Sequence, residues 1–153
     1  MLPDKLCGVH VDLDELVEFL PPGKKLTAKE EFIGRDKLSE QCDLFVDGEL
    51  IVRTSREWSS EDKSTTWHGT SMTPSKLDHQ SDGGRFVYSG HEAFGKTKIC
   101  RRAIGADKYA MFTGAQVFGS KHRDAKAMKS VITRLTEAVE KSSVCGPKGE
   151  QDG

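Results

Sequence analysis

The stretch GRFVYSGHEAFGKTKICRRAIGADKYAMFTGAQVFGSKHRDAKAMKSVITRLTEAVEK, residues 84–141, decides the fold. Near its end Met128, Val131, Ile132, Leu135 and Val139 recur at spacings of three and four. That periodicity predicts an amphipathic helix over 120–141 with one apolar stripe. Ser120 is the expected N-cap, because its hydroxyl can accept from an orphan backbone N–H. The first turn then reads Lys121, His122 and Arg123. Cations there oppose the helix dipole, and an anionic partner would turn that cost into a gain. Upstream, Arg85 to Ser89, Lys96 to Ile104 and Lys108 to Val117 read as strands, with Gly105-Ala106-Asp107 as the turn between the last two.

Working outward, residues 9–20 predict a short acidic helix. Asp12 and Glu15 form a capping-box pair, and Leu13, Leu16, Val17 and Leu20 share a face. Pro21-Pro22-Gly23 stops it. Thr27 to Cys42 is expected as a second helix, with Thr27 and Glu30 as a capping box and Phe32, Ile33 and Leu38 as apolar members. Asp47-Gly48 between Leu44-Phe45-Val46 and Leu50-Ile51-Val52 is a hairpin signal. Residues 54–84 are rich in Ser and Thr and lack periodicity, so a long loop or insertion is expected. Its Trp58 and Trp67 read as docked on the core, its His68 and His79 as exposed. The expected fold class is α+β: an antiparallel sheet with helices on one face, forming one domain over 1–141, then a disordered tail over 142–153.

The 153 residues carry a net charge of −1, which hides a split. Residues 1–83 hold 10 Lys/Arg against 17 Asp/Glu, a balance of −7, and residues 84–141 hold 12 against 5, a balance of +7. Such asymmetry points either to an anionic partner or to an acidic part packed beside a basic one. No apolar run approaches about 18 residues, so no membrane-spanning helix is expected. Cys7, Cys42, Cys100 and Cys145 are scattered, with no C-x-x-C pair for a zinc ribbon. Reduced cysteines and a cytoplasmic or nuclear protein, not secreted, are the expectation, since Met-Leu-Pro-Asp-Lys shows no leader pattern.

Gly90-His91-Glu92-Ala93-Phe94-Gly95-Lys96-Thr97 satisfies the phosphate-loop pattern G-x-x-x-x-G-K-[ST]. In such a loop Gly90, Gly95, Lys96 and Thr97 would bind a nucleotide. Lys98 to Ile104, however, reads at least as well as a strand, where the motif demands a helix. No G-x-S-x-G, H-E-x-x-H or catalytic cysteine motif is present. No cofactor or metal set is expected, and the chain reads as a binding protein before an enzyme.

His122-Arg123-Asp124-Ala125-Lys126 after three strands, with His91 ahead of them, resembles the double-stranded-RNA-binding domain over residues 91–135. The resemblance implies phosphate contacts from Lys121, Arg123 and Lys126 across the major groove, and a minor-groove contact from His91. The same order of elements also occurs in profilin-like folds and in the Alu-domain proteins of the signal recognition particle. The charge pattern and the resemblance together predict a nucleic-acid-binding protein, RNA before DNA. Its expected contacts are Lys96, Lys98, Arg101, Arg102, Lys121, His122, Arg123 and Lys126. A protein-interaction module, using the acidic part or the long loop, is the alternative.

Overall fold

A computed structural model describes residues 5–6, 9–12, 14–23, 25–33 and 38–145. The strands are β1 (Lys5–Leu6), β2 (Val9–His10), β3 (Leu26–Ile33), β4 (Ser39–Val46), β5 (Glu49–Ser60), β6 (His79–Ser81), β7 (Phe86–Tyr88), β8 (Glu92–Ile104) and β9 (Asp107–Val117). The α-helices are α1 (Thr65–Met72) and α2 (Ala125–Glu140), and a 3-10 helix spans Asp14–Phe19. β1 and β2 pair with each other, while the other seven strands form one antiparallel sheet in the order β3-β4-β5-β9-β8-β7-β6. Two meanders therefore meet where β5 pairs with β9. The α+β class and the antiparallel sheet agree with the expectation.

Strand alternation assigns the two faces. On one face Phe86, Tyr88, Ala93, Met111, Ala115 and Val117 join the cluster that holds Met128, Val131, Ile132, Leu135 and Val139 of α2. Leu16 and Phe19 of the 3-10 helix close this core. A Cβ on Gly95 would lie 2.7 Å from Thr136 Oγ1 and 2.8 Å from Thr113 Oγ1, so the helix sits too close to β8 for any side chain there. The opposite face is covered too. A Cβ on Gly69 of α1 would meet Phe94 at 3.2 Å and Val87 at 3.4 Å. The helices lie on both faces, which corrects the one-face expectation.

Three further expectations about the elements change. In place of a helix over 27–42 stand β3 and the start of β4, which pair from Leu26 opposite Val46 to Ile33 opposite Ser39; residues 34–37 lie outside the described residues. The Asp47-Gly48 turn makes the next hairpin as expected, with φ of 50° and 87°, the two positive values of a type I′ turn. Residues 54–84 are not a loop: β5 continues to Ser60, α1 follows, and β6 pairs with β7. Ser64 caps α1 by accepting from Trp67 N at 3.0 Å. The acidic 9–20 segment forms a 3-10 helix and not an α-helix, so Leu16 and Phe19, three apart, are its buried pair and Val17 is exposed.

Cys42, Cys100 and Cys145 are not reduced, and Cys7 lies outside the described residues. Cys100 and Cys145 form a disulfide across a separation of 45 residues, and Cys42 is also disulfide-bonded. The topology returns the chain after α2 to the middle of β8, which sequence spacing could not show. The tail is ordered through the 3-10 turn Ser143–Cys145, with Cys145 buried; residues 146–153 lie outside the described residues.

Ile132 is fully buried under α2. Ile132→Ala should cost about 2–5 kcal/mol in urea unfolding, the range for truncating a core isoleucine. Reduction of the disulfides should cost about 2–4 kcal/mol for the loop that Cys100 and Cys145 close. An unchanged midpoint in either experiment would contradict the packing described.

Candidate functional site

The N-cap of α2 is Asp124, whose Oδ1 accepts from Ala127 N at 3.0 Å. The helix therefore starts at Ala125, not at Ser120. Ser120 Oγ instead accepts from His122 N at 3.2 Å in the preceding turn. Lys121, His122 and Arg123 precede the first turn, so the expected clash with the helix dipole does not arise, and the Asp124 carboxylate complements the dipole. Asp124 N donates to Gly90 O at 3.1 Å, which ties the helix start to the entry of β8.

With the apolar stripe inward, the outward face of α2 presents Lys126, Lys129, Thr133, Glu137 and, at its end, Lys141. Lys126, Lys129, Glu137 and Lys141 are exposed. Spacings of three and four align them in one ridge. Lys121 and Arg123 extend the ridge beyond the start of the helix, and both are exposed. At the other end Glu140 accepts from Lys98 N at 2.6 Å and from Arg85 Nη2 at 3.0 Å, which places the exposed Lys98 beside the last turn. From Lys126 to Lys141 the helix rises about 22 Å. Lys129 and Lys141 were not among the expected contacts, although their spacing from Lys126 was legible.

The other expected cations are placed differently. Lys96 Nζ donates to Glu61 O at 2.7 Å and to Lys63 O at 2.8 Å, over the ring of Phe112. Burial, with Arg101 nearby, holds its pKa below the ordinary lysine value. Arg101 pairs with Glu61 at 3.7 Å, on the sheet face of Lys96 and away from α2. Arg102 lies over Trp58, its carbon centre 6.0 Å from the ring centroid. His122 faces Glu18 and Asp124, with Nε2 at 3.3 Å and 4.0 Å from their carboxylates. His91 has both ring nitrogens engaged, Nε2 with His122 O at 2.7 Å and Nδ1 with Arg123 Nη1 at 3.1 Å. On the far flank of α2, Arg134 pairs with Glu15 at 3.0 Å and with Asp12 at 3.7 Å.

The phosphate-loop reading is overturned. Residues 92–97 are extended within β8, no helix follows, and Gly95 is the packing glycine under Thr136. Thr97 Oγ1 donates to Met111 O at 2.9 Å, so neither Lys96 nor Thr97 faces a cradle of backbone N–H groups.

Other polar groupings remain. A groove of about 620 Å³ runs beside the end of α1, with Arg53, Thr73, Glu92, Gln116 and Phe118 in its wall. Its charges satisfy one another: Glu92 accepts from Thr73 Oγ1 at 3.0 Å and Gln116 Nε2 at 2.8 Å, and Arg53 holds Asp43 at 2.8 and 3.0 Å. On the opposite face of the sheet, Glu40 contacts Arg56 beside a small cavity under α2; burial pushes its carboxyl up to about 7 against the pull of that guanidinium.

His68, expected exposed, is wholly buried, stacked on Phe112 at 4.9 Å and edge-on to Phe94 at 5.8 Å. Its Nδ1 is 3.4 Å from Glu57 Oε2, while Ser39 Oγ donates to Glu57 Oε1 at 2.7 Å. The serine is bonded to the glutamate and not to the histidine, so the three residues lack the order of a nucleophile, base and orienting acid.

No protein-family model matches the chain, and no curated protein or solved structure is similar to it. Among the described residues no helix is long and apolar enough to cross a membrane.

Burial outweighs the attraction of Glu57 and holds the His68 pKa below its ordinary 6.5. The unfolded chain takes up this proton below about pH 6.5 and the folded chain resists it. The stability is therefore complete above that pH and is lost as pH falls toward the folded value. Urea midpoints at about pH 8 and about pH 5 should differ less in His68→Leu than in the parent; an equal drop would contradict this assignment.

Proposed function

We propose that the protein binds nucleic acid, RNA before DNA, along the outward face of α2. The observation that supports this is the ridge of Lys121, Arg123, Lys126, Lys129 and Lys141, continued by Lys98, with Glu137 as the exposed acid on it. Arg102 on Trp58 adds a cationic shelf beside the same end of the sheet. Cations spread over about 22 Å suit a polymer of phosphates and exceed the reach of a single nucleotide. The preference for RNA rests on the resemblance of residues 91–135. Against the expected set, Lys96, Arg101 and His122 drop out because they have partners within the chain, and Lys129 and Lys141 are added. Arg123 stays exposed while one nitrogen bonds His91, and His91 has no ring nitrogen left for a base edge.

Binding of this kind is electrostatic and independent of a catalytic centre. The expected cytoplasmic or nuclear location relied on reduced thiols, and the Cys100–Cys145 disulfide removes that support. The reading itself asks only for an accessible polyanion, in whichever compartment the chain resides.

Affinity for single- and double-stranded RNA and for duplex DNA should be measured against salt. With about six phosphate contacts it should fall roughly a thousandfold between about 50 and 200 mM salt. Each of Lys126→Ala, Lys129→Ala and Lys141→Ala should lower the slope of log affinity against log salt by about one. Lys29→Ala, an exposed change on β3, should leave it unaltered. A flat salt dependence, or unchanged binding in the triple variant, would remove the proposal.

A further inference from the structure

The second feature of α2 lies at its start, on the flank facing the 3-10 helix. His122 Nε2 is sealed from solvent and makes no hydrogen bond, yet it points at two carboxylates from separate parts of the chain. Glu18 Oε2 is 3.3 Å away and Asp124 Oδ2 is 4.0 Å away, and the three donor atoms all lie within 4.8 Å of one another. Donors sharing a divalent ion at about 2.1 Å sit roughly 3.0–3.5 Å apart. Glu18 and His122 already meet that spacing, and Asp124 meets it by a small carboxylate rotation.

We propose that Glu18, His122 and Asp124 form a binding site for a first-row divalent cation of the Zn²⁺ class. Two of the ligands, His122 and Asp124, are held independently of the cation. The His122 ring packs edge-on against Phe19, with centroids 4.9 Å apart, and Phe19 is itself buried. The backbone of His122 is fixed at both ends, its N on Ser120 Oγ and its O on His91 Nε2. Asp124 uses Oδ1 for the helix cap, which leaves Oδ2 turned toward the imidazole. Glu18 reaches the site from an exposed position on the 3-10 helix, so its side chain is free to turn onto the ion.

The donor set selects the ion. One imidazole nitrogen with two carboxylate oxygens suits Zn²⁺ and its neighbours, whereas Mg²⁺ and Ca²⁺ take oxygen throughout. Two carboxylates facing one imidazole supply the negative charge that a divalent cation would neutralise. The two nearest guanidiniums are turned elsewhere, Arg123 to His91 and Arg134 to Glu15. Lys126 lines the same groove as Glu18 and Asp124, together with Asp14 and Glu15, and its single ammonium is outnumbered there. A bound cation would clamp the 3-10 helix to the start of α2. This inference stands apart from the nucleic-acid reading, because none of its three ligands belongs to the lysine ridge.

The test is titration of the whole chain, disulfides intact and pre-treated with chelator, with Zn²⁺ and with Mg²⁺ by calorimetry, alongside the visible spectrum of added Co²⁺. One saturable Zn²⁺ site is expected, with a Co²⁺ spectrum of low coordination number and far weaker Mg²⁺ binding. Glu18→Gln and Asp124→Asn should each weaken Zn²⁺ by about tenfold or more, by analogy with the effect of disturbing a ligand's support. Both variants keep the fold: Glu18 is exposed, and asparagine caps a helix as aspartate does. His122→Asn should abolish the Co²⁺ spectrum. Absence of saturable Zn²⁺ binding, equal affinity for Mg²⁺, or unchanged Zn²⁺ affinity in Glu18→Gln and Asp124→Asn would overturn the assignment.

Discussion

The closeness of α2 to β8 is the constraint on which the rest depends. Thr136 meets Thr113 across 2.7 Å through their hydroxyls, directly over Gly95, and no side chain fits between helix and strand. Three tethers hold that approach along its length. Asp124 N bonds Gly90 O at the start, Glu140 receives Lys98 N near the end, and Cys145 is bonded to Cys100 beyond it. A helix fixed at both ends and in the middle cannot roll. Its rotation decides which residues are buried, and so which cations are left in water.

That rotation also resolves the charge split along the chain. Two accounts were open: acidic residues packed on basic ones, or basic residues left for a partner. Each describes one flank of α2. On the flank toward the 3-10 helix, Asp12 and Glu15 neutralise Arg134, and Glu18 faces His122. On the outer face Lys129 and Lys141 meet the exposed Glu137, while Lys126 stands at the edge of the acidic groove of Asp14, Glu15, Glu18 and Asp124. Exposed pairs of the first kind contribute little stability, commonly below about 1 kcal/mol. Their larger effect is to orient the acidic segment, which leaves the lysine ridge uncovered.

Where the sequence misled, the cause was a local pattern shared by two structures. Gly90 to Thr97 has the residues of a phosphate loop, but two of its glycines serve contacts: Arg123 packs against Gly90, and α2 sits over Gly95. β3 lies at the sheet edge with Thr27 to Glu31 exposed, so it lacks the alternation of a half-buried strand and its Thr27 and Glu30 imitate a helix cap. Glu40 and Asp43 are buried charges in β4, which blurs the apolar pattern further. α1 reads Thr-Thr-Trp-His-Gly-Thr-Ser-Met, buried through Thr65, His68 and Gly69, so no apolar stripe marks it. By contrast the apolar stripe of α2, the Asp47-Gly48 turn and the strands near 86–88, 96–104 and 108–117 follow strong local rules and were legible in the sequence, although β8 begins earlier, at Glu92, and α2 later, at Ala125.

The sequence by itself determined what depends on neighbours within a few positions: the inward stripe of α2, the alignment of Lys126 with Lys129, the hairpin turn, and the antiparallel run that feeds the helix. Only the tertiary structure decided which cations remain available, for that depends on distant groups. The carbonyls of Glu61 and Lys63 hold Lys96, and no pattern around Lys96 foretells them. The same holds for Glu18 against His122, and for Cys100 against Cys145. Short-range periodicity is a property of the backbone's own geometry; convergence of remote side chains is a property of how the sheet is threaded, and the threading is set by the whole chain at once.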